Sequence, residues 1–134
     1  MESLAVSRID PELAAQLLLG IEHLDPSGNT GPGELLQACL SGQCFGVATS
    51  DGQAQGVYVL GIKGDQARIR WARAWGAFDF TRAFLPAIER QCAQLQELAF
   101  QTSRPGLVRK ATRQGYQVDG RIGRGWTLRK RLRP

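Results

Sequence analysis

Cationic side chains crowd one end of this 134-residue sequence and set the chemistry it can be asked to do. From residue 104 onward ten arginines and lysines stand against a single acid, Asp119, whereas the first 103 residues carry seven basic and eleven acidic side chains. A body of net charge −4 therefore precedes a final quarter of net charge +9. Such a segment attracts anions, whether a phosphorylated cofactor, a nucleic acid or an acidic protein surface. Tyr116 and Trp126 are interleaved with these cations, an arrangement able to stack bases while arginines meet phosphates. The simpler arrangement has Trp126 facing the core while Arg129, Arg131 and Arg133 line a solvated edge strand, where charge discourages sheet-to-sheet aggregation.

Other reactive side chains are sparse. One histidine, His23, and three cysteines, Cys39, Cys44 and Cys92, have neither Cys-x-x-Cys nor His-x-x-x-His spacing, so no metal site is expected. An odd number of cysteines in a chain large enough to bury a core reads as free thiols, with Cys92 on the buried side of a helix. The sequence has no Gly-x-Ser-x-Gly elbow, Walker loop or dinucleotide fingerprint.

With 43% hydrophobic and 22% charged residues, the chain has the composition of one soluble globular domain spanning residues 1–134. No apolar run approaches the ~18 residues of a membrane helix. The opening MESLAVSRIDPELAAQ lacks the basic start and apolar block of a secretory signal, which places the chain in a cytoplasm.

These side chains must be positioned by an α+β arrangement. Residues 4–9 form a first strand. Asp10 followed by Pro11 reads as an N-cap with proline at the first helical position. Leu13, Leu17, Ile21 and Leu24 then share one face of a helix over 11–24. Residues 25–33 (DPSGNTGPG) are a loop, and a second helix over 34–40 ends near Ser41 and Gly42, where glycine can adopt the left-handed conformation. Strands at 44–49, 55–62 and 67–74 are separated by Asp51-Gly52 and Gly64-Asp65, the turn chemistry of an antiparallel meander. Both alternating sets of the middle strand are apolar, so it belongs at the centre of the sheet. A long helix over 80–96, a strand at 98–102, a helix over 106–114 ended by Gly115, and two closing strands complete the order.

That order, together with RPGLVRKATRQGY at 104–116, resembles the GNAT N-acetyltransferase superfamily over almost the whole chain. ELLQACLSGQ, RPGLVRKATRQGY and a closing LRKRL resemble, more narrowly, small GNAT-like proteins of tailed bacteriophages and prophages. The superfamily resemblance implies a V-shaped opening between the fourth and fifth strands, holding acetyl-CoA by its pantetheine arm, and acyl transfer to an amine acceptor. Trp71, Ala72, Arg73 and Ala74 would lie along the pantetheine arm, with Gly76 and Ala77 at the pyrophosphate and Arg73 or Arg82 as phosphate partners. The usual glycine-rich phosphate loop is replaced by Ala74-Trp75-Gly76-Ala77-Phe78-Asp79-Phe80-Thr81, in which only Gly76 remains and Asp79 opposes a pyrophosphate. The family's glutamate on the fourth strand is missing, and Thr112 or Ala111 stands where a helix tyrosine is usual. The remaining candidates are Glu34, His23 or Asp79 as base and Tyr116 as proton donor. These departures leave a second reading, a GNAT fold without catalysis that binds a protein partner in a virion or a host.

Overall fold

The computed structural model describes residues 4–19, 32–75 and 80–133. Its strands are β1 (Leu4–Arg8), β2 (Gln43–Thr49), β3 (Ala54–Lys63), β4 (Gln66–Ala74), β5 (Glu97–Thr102), β6 (Gln117–Ile122) and β7 (Gly125–Arg131), joined in one sheet of order β1-β2-β3-β4-β5-β7-β6. Every neighbouring pair is antiparallel except β4 and β5, which run parallel. The α-helices are α1 (Pro11–Leu17), α2 (Pro32–Ser41), α3 (Leu85–Gln91) and α4 (Pro105–Arg113), and a π-helical turn, Phe80–Phe84, leads into α3. This is the mixed, mostly antiparallel α+β architecture expected from the order of hydrophobic segments.

Alternation along β3 builds both layers of the core. Val57 and Val59 pack with Ala14, Leu18, Leu35, Cys39 and Cys44 beneath α1 and α2. Tyr58 and Leu60 point the other way and join Phe84, Leu85, Ile88, Leu98, Phe100 and Leu128 beneath α3 and α4. A central strand apolar on both faces is the signature of a sheet covered on both sides there. At roughly 1.5–3 kcal/mol for each large apolar side chain removed from water, these two layers supply the main driving force for the fold.

Several local expectations are corrected. In α1 the fully buried position is Ala14, joined by Leu18 at the C-cap, while Leu13 is 45% exposed. The buried stripe is thus rotated by one residue from the leucine pattern, because small Ala14 permits the closer approach to the sheet. Ile21 and Leu24 lie outside the described residues. Asp10 occupies the N-cap position with extended backbone but makes no side-chain capping bond. The long helix predicted over 80–96 starts as the π-helical turn and ends at Gln91, after which Cys92 caps it and turns lead to β5.

Gly42 does not have a positive φ. Its role is steric, since a Cβ there would sit 2.8 Å from the Leu60 carbonyl oxygen. Gly115, by contrast, does end α4 with φ +100°. Finally, β7 is interior rather than an edge strand: it lies between β5 and β6, and Arg129 meets a carboxylate from each neighbour, Glu97 and Asp119. Among the described residues no helix is long and apolar enough to cross a membrane.

Candidate functional site

Strands β4 and β5 separate after a short ladder. They pair from Gln66 with Glu97 to Ile69 with Phe100, and no further. β4 nevertheless continues to Ala74, still paired with β3, while β5 continues to Thr102, still paired with β7. The split has a local cause in β4. Val59 pairs with Trp71 and Leu60 with Ile69, so Arg70 is an extra residue, a bulge that bends and twists the strand as the β5 ladder ends. From Trp71 to Ala74 the edge of β4 turned toward β5 thus has backbone donors and acceptors without a strand partner.

The arm beyond the bulge is firmly held on its other sides. Ala72 and Ala74 pack into the core beneath α3, Trp71 and Trp75 into the core beneath α1 and α2. The Trp75 amide donates to the Gln55 carbonyl at 2.9 Å. Phe84 presses on β3 at Gly56 so closely that a Cβ there would lie 2.2 Å from its ring and 2.7 Å from the Arg73 carbonyl. Arg73 Nη1 donates to the carbonyls of Leu17 and Leu19 at 3.2 and 3.3 Å, satisfying the end of α1 and tying it to the β4 arm. Arg82 is exposed on the π-helical turn, and the Gln114 amide donates to the Thr81 carbonyl of that turn at 2.6 Å. Of the residues named from the sequence, Trp71, Ala72, Arg73 and Ala74 therefore share one strand at the split. Gly76, Ala77, Asp79 and His23 lie outside the described residues.

The acid and base candidates are placed differently. Tyr116 is 2% exposed and packs edge-to-face on Phe100, the last β5 residue of the parallel ladder, with ring centroids 5.3 Å apart. Its hydroxyl donates to Glu89 Oε2 of α3 at 2.9 Å. Lys130 Nζ donates to the other Glu89 oxygen at 3.0 Å and lies 5.6 Å from the centre of the Tyr116 ring. Burial first, then the Glu89 charge, pushes the phenol well above its ordinary range, so Tyr116 keeps its proton at neutral pH. Glu34 is exposed in the first turn of α2, a helix packed on α1, β2 and β3. Thr112 is exposed and its hydroxyl donates to the Arg109 carbonyl, whereas Ala111 is fully buried.

Two buried polar arrangements escape sequence reasoning. Besides the Tyr116–Glu89–Lys130 cluster, Tyr58 donates its hydroxyl to Gln91 Oε1, and burial followed by the nearby Cys92 raises its pKa. Glu89 and Gln91 look like ordinary polar positions of a helix, and only the sheet register brings a tyrosine to each. The three thiols are free and buried. Cys44 Sγ donates to the Cys39 carbonyl at 3.3 Å, and burial, then Cys44, pushes the Cys39 thiol up to about 11. Among the described residues no group of three or more His, Cys, Asp or Glu could hold a metal ion.

No family model matches the sequence, and no curated relative is found by sequence comparison. Solved structures do match over nearly the whole chain. An IAA acetyltransferase from Bacillus cereus superposes with a TM-score of 0.73 at 15% identity, covering 97% of this chain and 100% of that one. A spermidine N-acetyltransferase from Vibrio cholerae, in complex with CoA and spermine, gives 0.71 at 10% identity, covering 97% and 96%. A GNAT family acetyltransferase from Elizabethkingia anophelis with acetyl-CoA bound gives 0.69 at 14% identity, covering 97% and 99%. The chain has the GNAT acyl-CoA N-acyltransferase fold; at these identities the likeness speaks for the fold.

Proposed function

We propose that this protein is an acyl-CoA-dependent N-acyltransferase that binds the CoA thioester in the split between β4 and β5 and transfers the acyl group to an amine. The observation that carries this reading is the four-pair β4–β5 ladder followed by an unpaired β4 edge from Trp71 to Ala74. A pantetheine arm contains two amides, and a strand edge with free N–H and C=O groups is the natural partner for such a chain. Ala72 and Ala74 present only small side chains on the α3 side, and exposed Arg82, in the turn before α3, is the candidate partner for phosphate charge. The acetyl-CoA and CoA held by structures of the same fold support this choice of thioester.

When bound there, the thioester supplies an activated acyl carbon: the amine nitrogen forms the new C–N bond as the C–S bond breaks, one ammonium proton passing to solvent and a second to the departing sulfur. The chain's own contribution is mainly positional. The bulge at Arg70 opens the ladder, Arg73 braces the arm against α1, and Phe84 fixes its distance from the π-helical turn. Tyr116, with its hydroxyl committed to Glu89, clamps α3 to β5 beside the split instead of giving up its proton. Among the described residues Glu34, on the α1–α2 side of the sheet, is the candidate to draw a proton from the amine through water.

Calorimetric and thermal titration with acetyl-CoA and CoA tests the reading. Ligand at ~100 times its dissociation constant stabilises the fold by roughly 2.7 kcal/mol under one-site linkage. A thermal midpoint unmoved by millimolar thioester overturns the proposal and leaves the fold as a binding module.

A further inference from the structure

We infer that the acceptor amine belongs to an acidic peptide, held on the open face of the sheet by Arg68, Arg70 and Arg131; as a statement about the acceptor, this rests on the acyl-transfer reading above. Helices α1 and α2 cover β2 and β3 on one side of the sheet. On that same side the first half of β4, up to Arg70, and β5, β7 and β6 carry no described helix, whereas Trp71 further along β4 packs beneath α1 and α2. Alternation shows which residues face outward there. Ala67 and Ile69 of β4, Leu98 and Phe100 of β5, and Leu128 of β7 all enter the core beneath α3. Arg68, Ala99, Arg129 and Arg131 consequently point to the open side.

Register aligns Arg68, Ala99 and Arg129 in one row across three strands. Ala99 is 0% exposed although no described helix lies over it. Its neighbours in the row are two arginines whose aliphatic stems are long enough to cover it. Their charged heads differ in fate. Arg129 is neutralised by Glu97 at 2.5 Å and by Asp119, acids of the neighbouring strands β5 and β6. Arg68, Arg70 and Arg131 are exposed and have no carboxylate among the described residues. Arg70 is the bulged residue at the mouth of the split, and its side chain crosses Gly61, where a Cβ would lie 3.0 Å from its Cδ.

An amine arriving at this split carries positive charge in water, and an uncompensated cation is repelled by Arg70 at the mouth and, further back along the closed ladder, by Arg68 and Arg131. Acceptors bearing carboxylates are attracted instead. Spacing favours a peptide over a single small acid. Arg68 and Arg70 are two residues apart, at most about 7 Å along a strand bent at Arg70, and Arg131 lies two strands away, about 10 Å across. Acidic side chains at alternate positions of an extended peptide have the same ~7 Å repeat. Single-stranded nucleic acid fits less well, because among the described residues this surface offers no exposed aromatic ring for stacking; Trp71 is packed beneath α1 and α2, and Trp126 lies on the opposite face.

The test compares acetylation, followed by mass spectrometry, of a peptide with a free amino terminus and aspartates at alternate positions, its asparagine counterpart and a polyamine. The same acidic peptide, labelled at its carboxyl terminus, reports binding by fluorescence polarisation without any thioester. The aspartate peptide is expected to exceed the asparagine peptide about tenfold in kcat/KM, as two or three exposed charge pairs allow. The preference is expected to vanish in the Arg68→Gln, Arg70→Gln double variant and to survive Arg90→Gln, a control on α3. Thermal midpoints of the same samples show that each variant is folded.

Equal use of the two peptides, preference for the polyamine, or a preference that survives the double variant overturns the inference. So does tighter binding of a single-stranded oligonucleotide at the same arginines. If no thioester binds, the acyl-transfer reading fails alone: polarisation that detects the acidic peptide and loses it in the double variant sustains the surface, and polarisation that detects nothing overturns it.

Discussion

Tyr116 shows how much and how little a residue's type predicts. Its place after the glycine that ends α4 is legible in the sequence, as is its burial, because a helix-ending glycine followed by an aromatic brings the ring back against the sheet. Its chemistry is not legible. Whether a buried phenol gives up its proton depends on its partner, and that partner, Glu89, lies on another element 27 positions away in sequence. Tyr116→Phe removes one donor from a carboxylate that Lys130 still holds, so the expected cost is about 1 kcal/mol in urea unfolding. Thioester-induced stabilisation is expected to persist in this variant. A loss of turnover by orders of magnitude at nearly unchanged stability would instead make the hydroxyl a proton donor in the reaction. The thiols follow the same logic: the odd count and spacing indicate free cysteines, while the mutual contact of Cys39 and Cys44 comes from how α2 turns into β2.

Among the elements, the antiparallel meander was the most readable, because two strong turns separate three runs whose apolar pattern has period two. Asp51-Gly52 and Gly64-Asp65 do carry glycines with positive φ, +88° and +60°. The π-helical turn was invisible: its residues, FTRAF, continue a helical apolar pattern, and the wider turn is set by contacts with β3 and α4. Gly56 is the tightest of those contacts. Gly56→Ala would drive a methyl group into Phe84 and the Arg73 carbonyl, costing about 1–3 kcal/mol by overpacking. Since Phe84 fixes the turn against the β4 arm, the thermal shift given by CoA is expected to shrink as well. A variant as stable and as CoA-responsive as the parent would show that the arm adjusts independently of the turn. The order of β7 and β6 also escaped sequence reading, since two closing strands can pair with β5 either way. The interior position of β7 is settled by Leu128 entering the core while Arg129 finds acids on both sides.

For the molecule as a whole, the charge asymmetry read from the sequence divides into separate local balances. Much of the basic final quarter is internally committed: Arg129 to Glu97 and Asp119, Lys130 to Glu89, Arg133 to the Gln94 carbonyl. The cations left over on the open face come from β4 as much as from the final quarter, which composition alone could not reveal. Alkaline pH probes the interior instead. The Cys39 thiol rises from 9.0 to about 11 in the fold, chiefly by burial, and Tyr58 and Tyr116 are raised above their ordinary 10.0. For such groups the folded state favours the protonated form, so their contribution is complete below the unfolded values and is lost as pH climbs. The urea midpoint is therefore expected to hold up to about pH 9 and to fall steadily between pH 9 and 11, less steeply in Cys39→Ala. A midpoint unchanged from pH 8 to pH 10.5 would contradict this account of the core.

The short parallel ladder also bears on how the chain assembles. Strands β2, β3 and β4 are joined to one another by tight turns, so their mutual contacts close small loops, whereas joining β4 to β5 requires the intervening chain through α3 to be ordered first. The meander can consequently form early from local contacts, and the β5–β7–β6 half docks later through four register pairs and the core beneath α3. The seam where the two halves meet is then the last part of the sheet to close and the first to loosen. It is also where the split begins, because the bulge at Arg70 limits this seam to four register pairs.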